Sequence, residues 1–375
     1  MASLKIDDLL KAALKVGASD IHLKTDSVPV FRVNGKLHFM KDAPVINAEF
    51  MKSLYSSVMN KNQVERFERT FDIDLAYNIA DVSRFRINVF QQRGDTSMAI
   101  RAIPYSILNF DDLNLPLILD KISMEDRGLV IVTGTTGSGK STTLAAMIDN
   151  INTKRSLHII SIEDPLEFTH KDKNSYINQR EVGIDTLSYS NAMRAALRED
   201  PDVILIGEMR DLESIEIATA AAETGHLVFT TLHTLDAQET INRILAVFPA
   251  SQQNQIRYQL SQVLKAIISQ RLMPQSDGKG RVPAVEVLLA TSRIRDCIAD
   301  ATKTSEIRRA IEEGHLHYGM QTFDQCIYNL YRQKLITFEE AMRQATNKDD
   351  LDLRIKGITS GAASLGRVDE PIQTQ

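Results

Sequence analysis

Gly134-Thr135-Thr136-Gly137-Ser138-Gly139-Lys140-Ser141 fills every fixed position of the pattern G-x-x-x-x-G-K-[ST]. It follows the apolar run 129–132 and opens a helical stretch carrying Leu144, Met147 and Ile148. That is the strand–loop–helix context the motif requires. Glycines let the backbone curl so that successive N–H groups converge on phosphate oxygens, and the helix N-terminus adds its positive dipole. The phosphates of ATP are therefore expected on 134–141 and Thr142, with Lys140 reaching the β- and γ-phosphates and Ser141 binding Mg²⁺.

Outward from this loop, short apolar runs alternate with helical stretches: 129–132, 159–162, 203–206 and 227–229. Runs without polar alternation suit strands buried on both faces, so the fold class expected is α/β with a parallel sheet covered by helices. Ligands bind such sheets at the carboxyl ends of the strands. Three segments are expected at that edge. Ile162-Glu163-Asp164-Pro165 offers a carboxylate able to accept a proton from, or orient, an attacking water. The strand 203–206 is followed by Gly207-Glu208, the shape of a Walker B segment. Because Gly207 stands where many P-loop enzymes carry the Mg²⁺-binding Asp, Glu208 is expected to act on the metal through water, or on the nucleophile. His226 and His233 flank one apolar strand and are expected to sense the γ-phosphate. Arg194 and Arg198, four apart on an expected helix before Asp202, are assigned to the nucleotide-binding set.

Before residue 104 the pattern is different. Ile6, Leu9, Leu10, Ala13 and Leu14 share one helical face. Ile21 and Leu23 alternate with polar residues as in a strand, and Asn34-Gly35 between two short runs signals a hairpin. A second hairpin places Phe85, Ile87 and Val89 on one face and turns at Arg93-Gly94-Asp95 into a return strand 98–103. Arg84 and Arg86 share the polar face, with Arg101 on the partner strand. That face either meets solvent or meets a phosphate bound by the second domain, of this or a neighbouring subunit; planar bidentate arginine suits the latter. The expected organisation is an α+β domain over 1–104, a linker over 105–116, the α/β nucleotide domain over 117–290, a helical region over 291–356 and a disordered tail over 357–375. Thr322-Phe323-Asp324-Gln325 and Thr337-Phe338-Glu339-Glu340 both fit a helix capping box.

Composition is that of a soluble globular protein, with 43% hydrophobic and 25% charged residues. The formal charge of −5 gives no global basic field to attract nucleic acid, so no nucleic-acid partner is expected. No apolar run is long enough to span a bilayer, and acidic residues near the N-terminus do not fit a signal peptide; a cytoplasmic protein with no integral membrane segment is expected. The two cysteines, Cys297 and Cys326, form no C-x-x-C and do not make a zinc site by themselves, so both are expected as buried thiols.

The P-loop, the acidic box 162–168, the run from Asp200 through Glu208 to Asp211 and the two-histidine box resemble the secretion ATPases of the type II/type IV pilus superfamily. The resemblance extends from Ser19-Asp20-Ile21-His22-Leu23 to Gly319-Met320-Gln321-Thr322-Phe323-Asp324-Gln325. Within that superfamily the sequence is similar to the twitching-motility retraction motors of the PilT/PilU family; a short N-terminal region and the lack of a four-cysteine zinc module separate it from the assembly and type II secretion branches. The resemblance implies a homohexamer whose subunits carry a PAS-like N-terminal domain and a RecA-like P-loop NTPase core with a C-terminal helical tail. It also implies Glu163 as general base, Glu208 as Walker B acid, Arg86 and Arg101 as arginines that reach the γ-phosphate, and work on the inner-membrane platform protein at the pilus base. One stretch departs from the PilT pattern. Where those motors carry Ala-Ile-Arg-Asn-Leu-Ile-Arg-Glu, this chain has Arg293-Ile294-Arg295-Asp296-Cys297-Ile298-Ala299-Asp300, and Gly319–Gln325 with 352–356 are closer to PilU. Primary motor and accessory motor, partnered with a paralogous retraction ATPase, are both open on the sequence.

Two other classes compete. A nucleic-acid translocase could use the same core, but the negative charge and the lack of a recognisable DNA-binding module weigh against it. A small-molecule kinase is disfavoured by the two-domain plan and the histidine box.

Overall fold

The computed structural model describes residues 5–33, 35–80, 82–103 and 107–358. Asn34 of the first expected turn and the expected tail from 359 onward lie outside them. The chain divides into two compact units, Met1–Ile107 with Pro165–Lys171, and Leu108–Asp164 with Asp172–Gln375.

The first unit is built on β1 (Ala18–Lys24), β2 (Val30–Val33), β3 (Lys36–Phe39), β4 (Asp72–Ile79), β5 (Ser83–Gln92) and β6 (Asp95–Ile103). These strands form an antiparallel sheet in the order β3-β2-β1-β6-β5-β4. Strict alternation on β5 sends Phe85, Ile87 and Val89 into a core with Ile21, Leu23, Met98 and Ile100. The helices Ile6–Lys15, Ala48–Val58 and Lys61–Thr70 close that core with Leu9, Leu10, Met51, Leu54 and Phe67. The β5–β6 turn has positive φ at both Arg93 (52°) and Gly94 (83°). That is the two-residue geometry matching strand twist, and it fixes the register in which Arg86 faces Arg101.

The second unit carries β7 (Gly128–Thr133), β8 (His158–Glu163), β9 (Tyr176–Glu181), β10 (Val203–Ile206), β11 (Leu227–Leu232), β12 (Leu264–Pro274) and β13 (Arg281–Leu289). Sheet order is β13-β12-β7-β11-β10-β8-β9, parallel throughout except for the β12–β13 pair. The parallel sheet is buried on both faces. Leu129, Ile131, Ile162, Ile206 and Val228 meet one helical layer. Val130, Val132, Leu205, Phe229 and Ile268 meet the helix Lys140–Lys154 through Leu144, Met147, Ile148 and Ile151. Within the expected linker 105–116, Phe110 and Leu115 are buried in this second core.

Beyond β13 the chain is helical, and the helix Phe323–Arg332 packs on the far end of the β12–β13 hairpin through Phe323, Cys326, Ile327 and Leu330. Cys297 lies in a different cluster. The guanidinium of Arg271 stands 3.9 Å over the Phe323 ring. Thr322 and Gln325 form the reciprocal capping box. At Thr337 only half of the expected box forms, because the Glu340 carboxylate is taken by the guanidinium of Arg343.

Candidate active site

The parallel strands β7, β8, β10 and β11 end at one sheet edge, and the chemistry-bearing residues gather there. The phosphate loop leaves β7 after Thr133 and runs into the helix Lys140–Lys154. Two glycines are demanded by close approach as well as by conformation. A Cβ on Gly134 (φ 143°) would lie 2.3 Å from the Gln270 carbonyl oxygen, and one on Gly139 (φ 92°) 2.8 Å from Gln270 Nε2. Gln270, on β12, also accepts a hydrogen bond from Thr143 Oγ1 at 2.7 Å, and its neighbour Ser269 accepts one from Thr133 Oγ1 at 3.0 Å. Strand β12 thus braces the loop from beneath. The sequence reading missed Gln270, because its partners lie more than 120 residues away and it belongs to no motif.

Lys140 is buried, and its Nζ donates to the carbonyls of Gly134 (2.8 Å) and Thr135 (3.1 Å). Burial lowers its pKa below the ordinary lysine value, and the Glu208 carboxylate opposes that shift. Ser138 Oγ is buried without a partner among the described residues, whereas Thr135, Thr136, Gly137 and Ser141 face solvent. A curled loop with a captive ammonium and an orphaned hydroxyl fits a polyphosphate.

Glu163 is the last residue of β8 and is 9% exposed. Glu208 lies two residues beyond β10, where Gly207 N–H donates to the Ile162 carbonyl (2.8 Å) and Thr231 Oγ1 to the Gly207 carbonyl (2.6 Å). The Glu208 carboxylate accepts from Arg210 Nε at 2.8 Å and lies 3.6 Å from His233 Nε2. Among the described residues no three His, Cys, Asp or Glu side chains cluster as a metal cage. The exposed Ser141 and the Glu208 carboxylate nevertheless offer oxygen donors of the kind that suit Mg²⁺, which keeps most of its shell as water and phosphate oxygen.

One expected member, His226, is not brought to this edge. His226 precedes β11, and its carbonyl accepts from Gly128 N–H at the opposite end of β7 from the loop. The six residues of β11 separate it from His233, about 20 Å of strand. Its Nδ1 faces the Ala221 carbonyl at 2.9 Å, an ordinary structural bond. Arg194 lies on the helix Tyr189–Ala196, which starts beside Gly207, and Arg198 lies two residues past its end. Arg194 pairs with Glu213, and Arg198 Nη1 donates to the Arg194 carbonyl at 2.9 Å. In the first unit Arg86 and Arg101 are exposed cross-strand neighbours, with Arg84 half-buried beside them.

The sequence pattern of the family described as Type II/IV secretion system protein matches residues 2–368. The chain belongs to this family. Among secretion-family relatives, it is 44% identical over 342 residues to the Pseudomonas aeruginosa type IV pilus retractation ATPase PilT, covering 91% of this chain and 98% of the relative. It is 39% identical over 373 residues to the type IV pilus ATPase PilU of the same organism, covering 99% and 97%. A crystal structure of the pilus retraction motor PilT with bound ADP superposes with a TM-score of 0.86 at 47% identity, covering 93% of this chain and 99% of that one. A secretion-family ATPase with a nucleotide site is the coarse description that these likenesses and the loop geometry support together.

Proposed function

We propose that this chain is a motor ATPase that hydrolyses ATP to power type IV pilus retraction, acting as a ring of six copies on the inner-membrane platform of the pilus. The observation that carries the reading is the convergence at one sheet edge of the loop with its captive Lys140, of Glu208, whose charge acts on that lysine, and of Glu163. The 44% identity with PilT over nearly the whole chain supplies the pilus context.

In this reading the loop N–H groups and Lys140 grip the β- and γ-phosphates. Ser141 and Glu208 would hold Mg²⁺, which would neutralise phosphate charge. Glu163 accepts a proton from the attacking water as its oxygen bonds to the γ-phosphorus. The bond from that phosphorus to the β–γ bridging oxygen breaks, and its electron pair leaves with ADP. His233, beside Glu208, registers the state of the γ-phosphate, and Arg86 and Arg101 of this or a neighbouring subunit complete the charge on it. The work is cytoplasmic and peripheral to the inner membrane; no helix among the described residues is long and apolar enough to cross a membrane.

A second reading, an accessory motor acting beside a paralogue, is favoured by the match to PilU, which spans 99% of the chain against 91% for PilT. Deletion in the host separates the outcomes. Surplus surface pili without twitching support a primary retraction motor, and pili that still retract but only under low load support the accessory one. Bald cells contradict both.

A further inference from the structure

Glu208 and Arg210 flank Met209 in the segment that leaves β10, and the backbone there is pinned on both sides. Met209 N–H donates to the Thr231 carbonyl at 3.2 Å, and its side chain is buried in the core that holds Ile206 and Ile215. Asp211 then caps the helix Leu212–Glu223, its carboxylate accepting from Ser214 N–H at 2.8 Å. With Met209 turned inward, its two neighbours are left to meet outside the core: Arg210 Nε donates to Glu208 Oε2 at 2.8 Å.

The two oxygens of this carboxylate have different neighbours. Oε2 takes the bond from Arg210, and Oε1 lies 3.6 Å from His233 Nε2. An ionised carboxylate has about four acceptor sites, so the arginine holds one side of it and leaves the others for water. Arg210 makes no other hydrogen bond or ion pair among the described residues, and its side chain is 67% exposed against 19% for Glu208. A pair with one member largely in solvent adds little to stability. It supplies direction instead: the guanidinium is planar, always charged and pre-organised for a carboxylate, as a lysine ammonium is not. The acid it holds is the one whose charge acts on the captive Lys140 of the phosphate loop.

We propose that Arg210 is a positioning residue for hydrolysis, its Nε–H holding the Glu208 carboxylate by one oxygen in the orientation from which it would act on Mg²⁺. The inference rests on the reading of Glu208 as the acid that serves the metal. It differs from a plain surface ion pair, which any cation at 210 would supply.

The test uses the purified full chain and two readouts: ATP turnover, and the gain in affinity for a non-hydrolysable ATP analogue when Mg²⁺ is added. Arg210→Gln is expected to lower kcat about tenfold and the Mg²⁺-dependent gain about threefold or more, the scale of one hydrogen bond to a charged group. Affinity without Mg²⁺ should stay within about twofold of the parent, and the unfolding midpoint should not move. Arg210→Lys keeps the charge but not the planar fork, and should stay within about twofold of Arg210→Gln in both readouts. In a Glu208→Gln background, Arg210→Gln is expected to change the Mg²⁺-dependent gain by less than about twofold, because the carboxylate it holds is already gone. If Glu208→Gln loses that gain, yet Arg210→Gln keeps it, costs the same in both backgrounds, or is fully rescued by Arg210→Lys, the positioning role is wrong and the reading of Glu208 stands. If Glu208→Gln keeps both turnover and the gain, the reading of Glu208 is itself wrong, and this role falls with it.

Discussion

Arg86 and Arg101 stand directly opposite one another on β5 and β6, two guanidinium groups on the same exposed face of an antiparallel sheet. Like charges in directly opposed positions destabilise a strand pair. Each has been given an acid: Asp20 accepts from Arg101 Nε at 2.8 Å, and Asp74 lies 3.6 Å from Arg86 Nε. Burial alone would raise the Asp20 pKa, but hydrogen bonds from Arg101 and Ser19 hold it below the usual carboxylate value. The two cations stand side by side, each beside an acid of its own.

In the proposed mechanism their partner is the γ-phosphate, so Arg86→Ala and Arg101→Ala should lower turnover more than tenfold while changing ADP affinity little. Stability should move by no more than about 0.5 kcal/mol, as for other exposed pairs. Turnover and ADP titration for each variant check this; variants that turn over normally would remove the arginines from the mechanism.

Lys140→Ala should abolish hydrolysis, with a loss of at least about a hundredfold, because the charge set on the transferring phosphoryl group is gone. The fold should survive, since the buried ammonium bonds only to carbonyls of its own loop. Circular dichroism beside an ATPase assay settles both halves, and hydrolysis within twofold of the parent would displace the phosphate site from this loop.

Gln270→Ala should weaken the loop from below. It strips Thr143 Oγ1 of a buried acceptor, a change worth about 1–3 kcal/mol of stability. Nucleotide affinity should fall with it, because Gly139 loses the side-chain amide it packs on, while the carbonyl against Gly134 remains. Denaturant unfolding and ADP binding measure the two effects; a variant unchanged in both would show that β12 does not brace the loop.

Glu286 gives a pH signature. Burial pushes its carboxyl up to about 7, with Asp236 adding to the rise and the Ala237 N–H, Arg271 and Arg308 opposing it. An acid whose pKa is raised on folding binds more protons folded than unfolded between the two values. Its contribution to stability is therefore lost as pH climbs from about 4.5 to about 7 and stays lost above that range. Glu286→Gln should match the parent near pH 4.5 and exceed it by up to about 3 kcal/mol at pH 8. Unfolding curves at the two pH values decide it, and a variant less stable than the parent at pH 8 would mean that the carboxylate is well compensated.

The P-loop, the alternation on β5 and the apolar runs of β7, β8, β10 and β11 were legible because each is a local pattern. What was not legible depends on contacts distant in sequence or on strand direction. Gln270 matters through Gly134 and Gly139. The error over His226 has the same origin. Two histidines at the two ends of one strand read as neighbours in sequence, but a strand carries them to opposite edges of the sheet. Arg194 is taken by Glu213, a partner distant in sequence. The edge strand β9, with its polar Asn178-Gln179-Arg180, lacks the apolar run that revealed its neighbours.

The most direct test of the account is ATP turnover and ATP affinity of the purified full chain with Glu163→Gln. The substitution keeps shape and hydrogen bonding but removes the proton acceptor. The account predicts ATP affinity within about twofold of the parent and turnover reduced by about a hundredfold or more. Turnover within twofold of the parent would contradict it, and hydrolysis at this sheet edge would need another base.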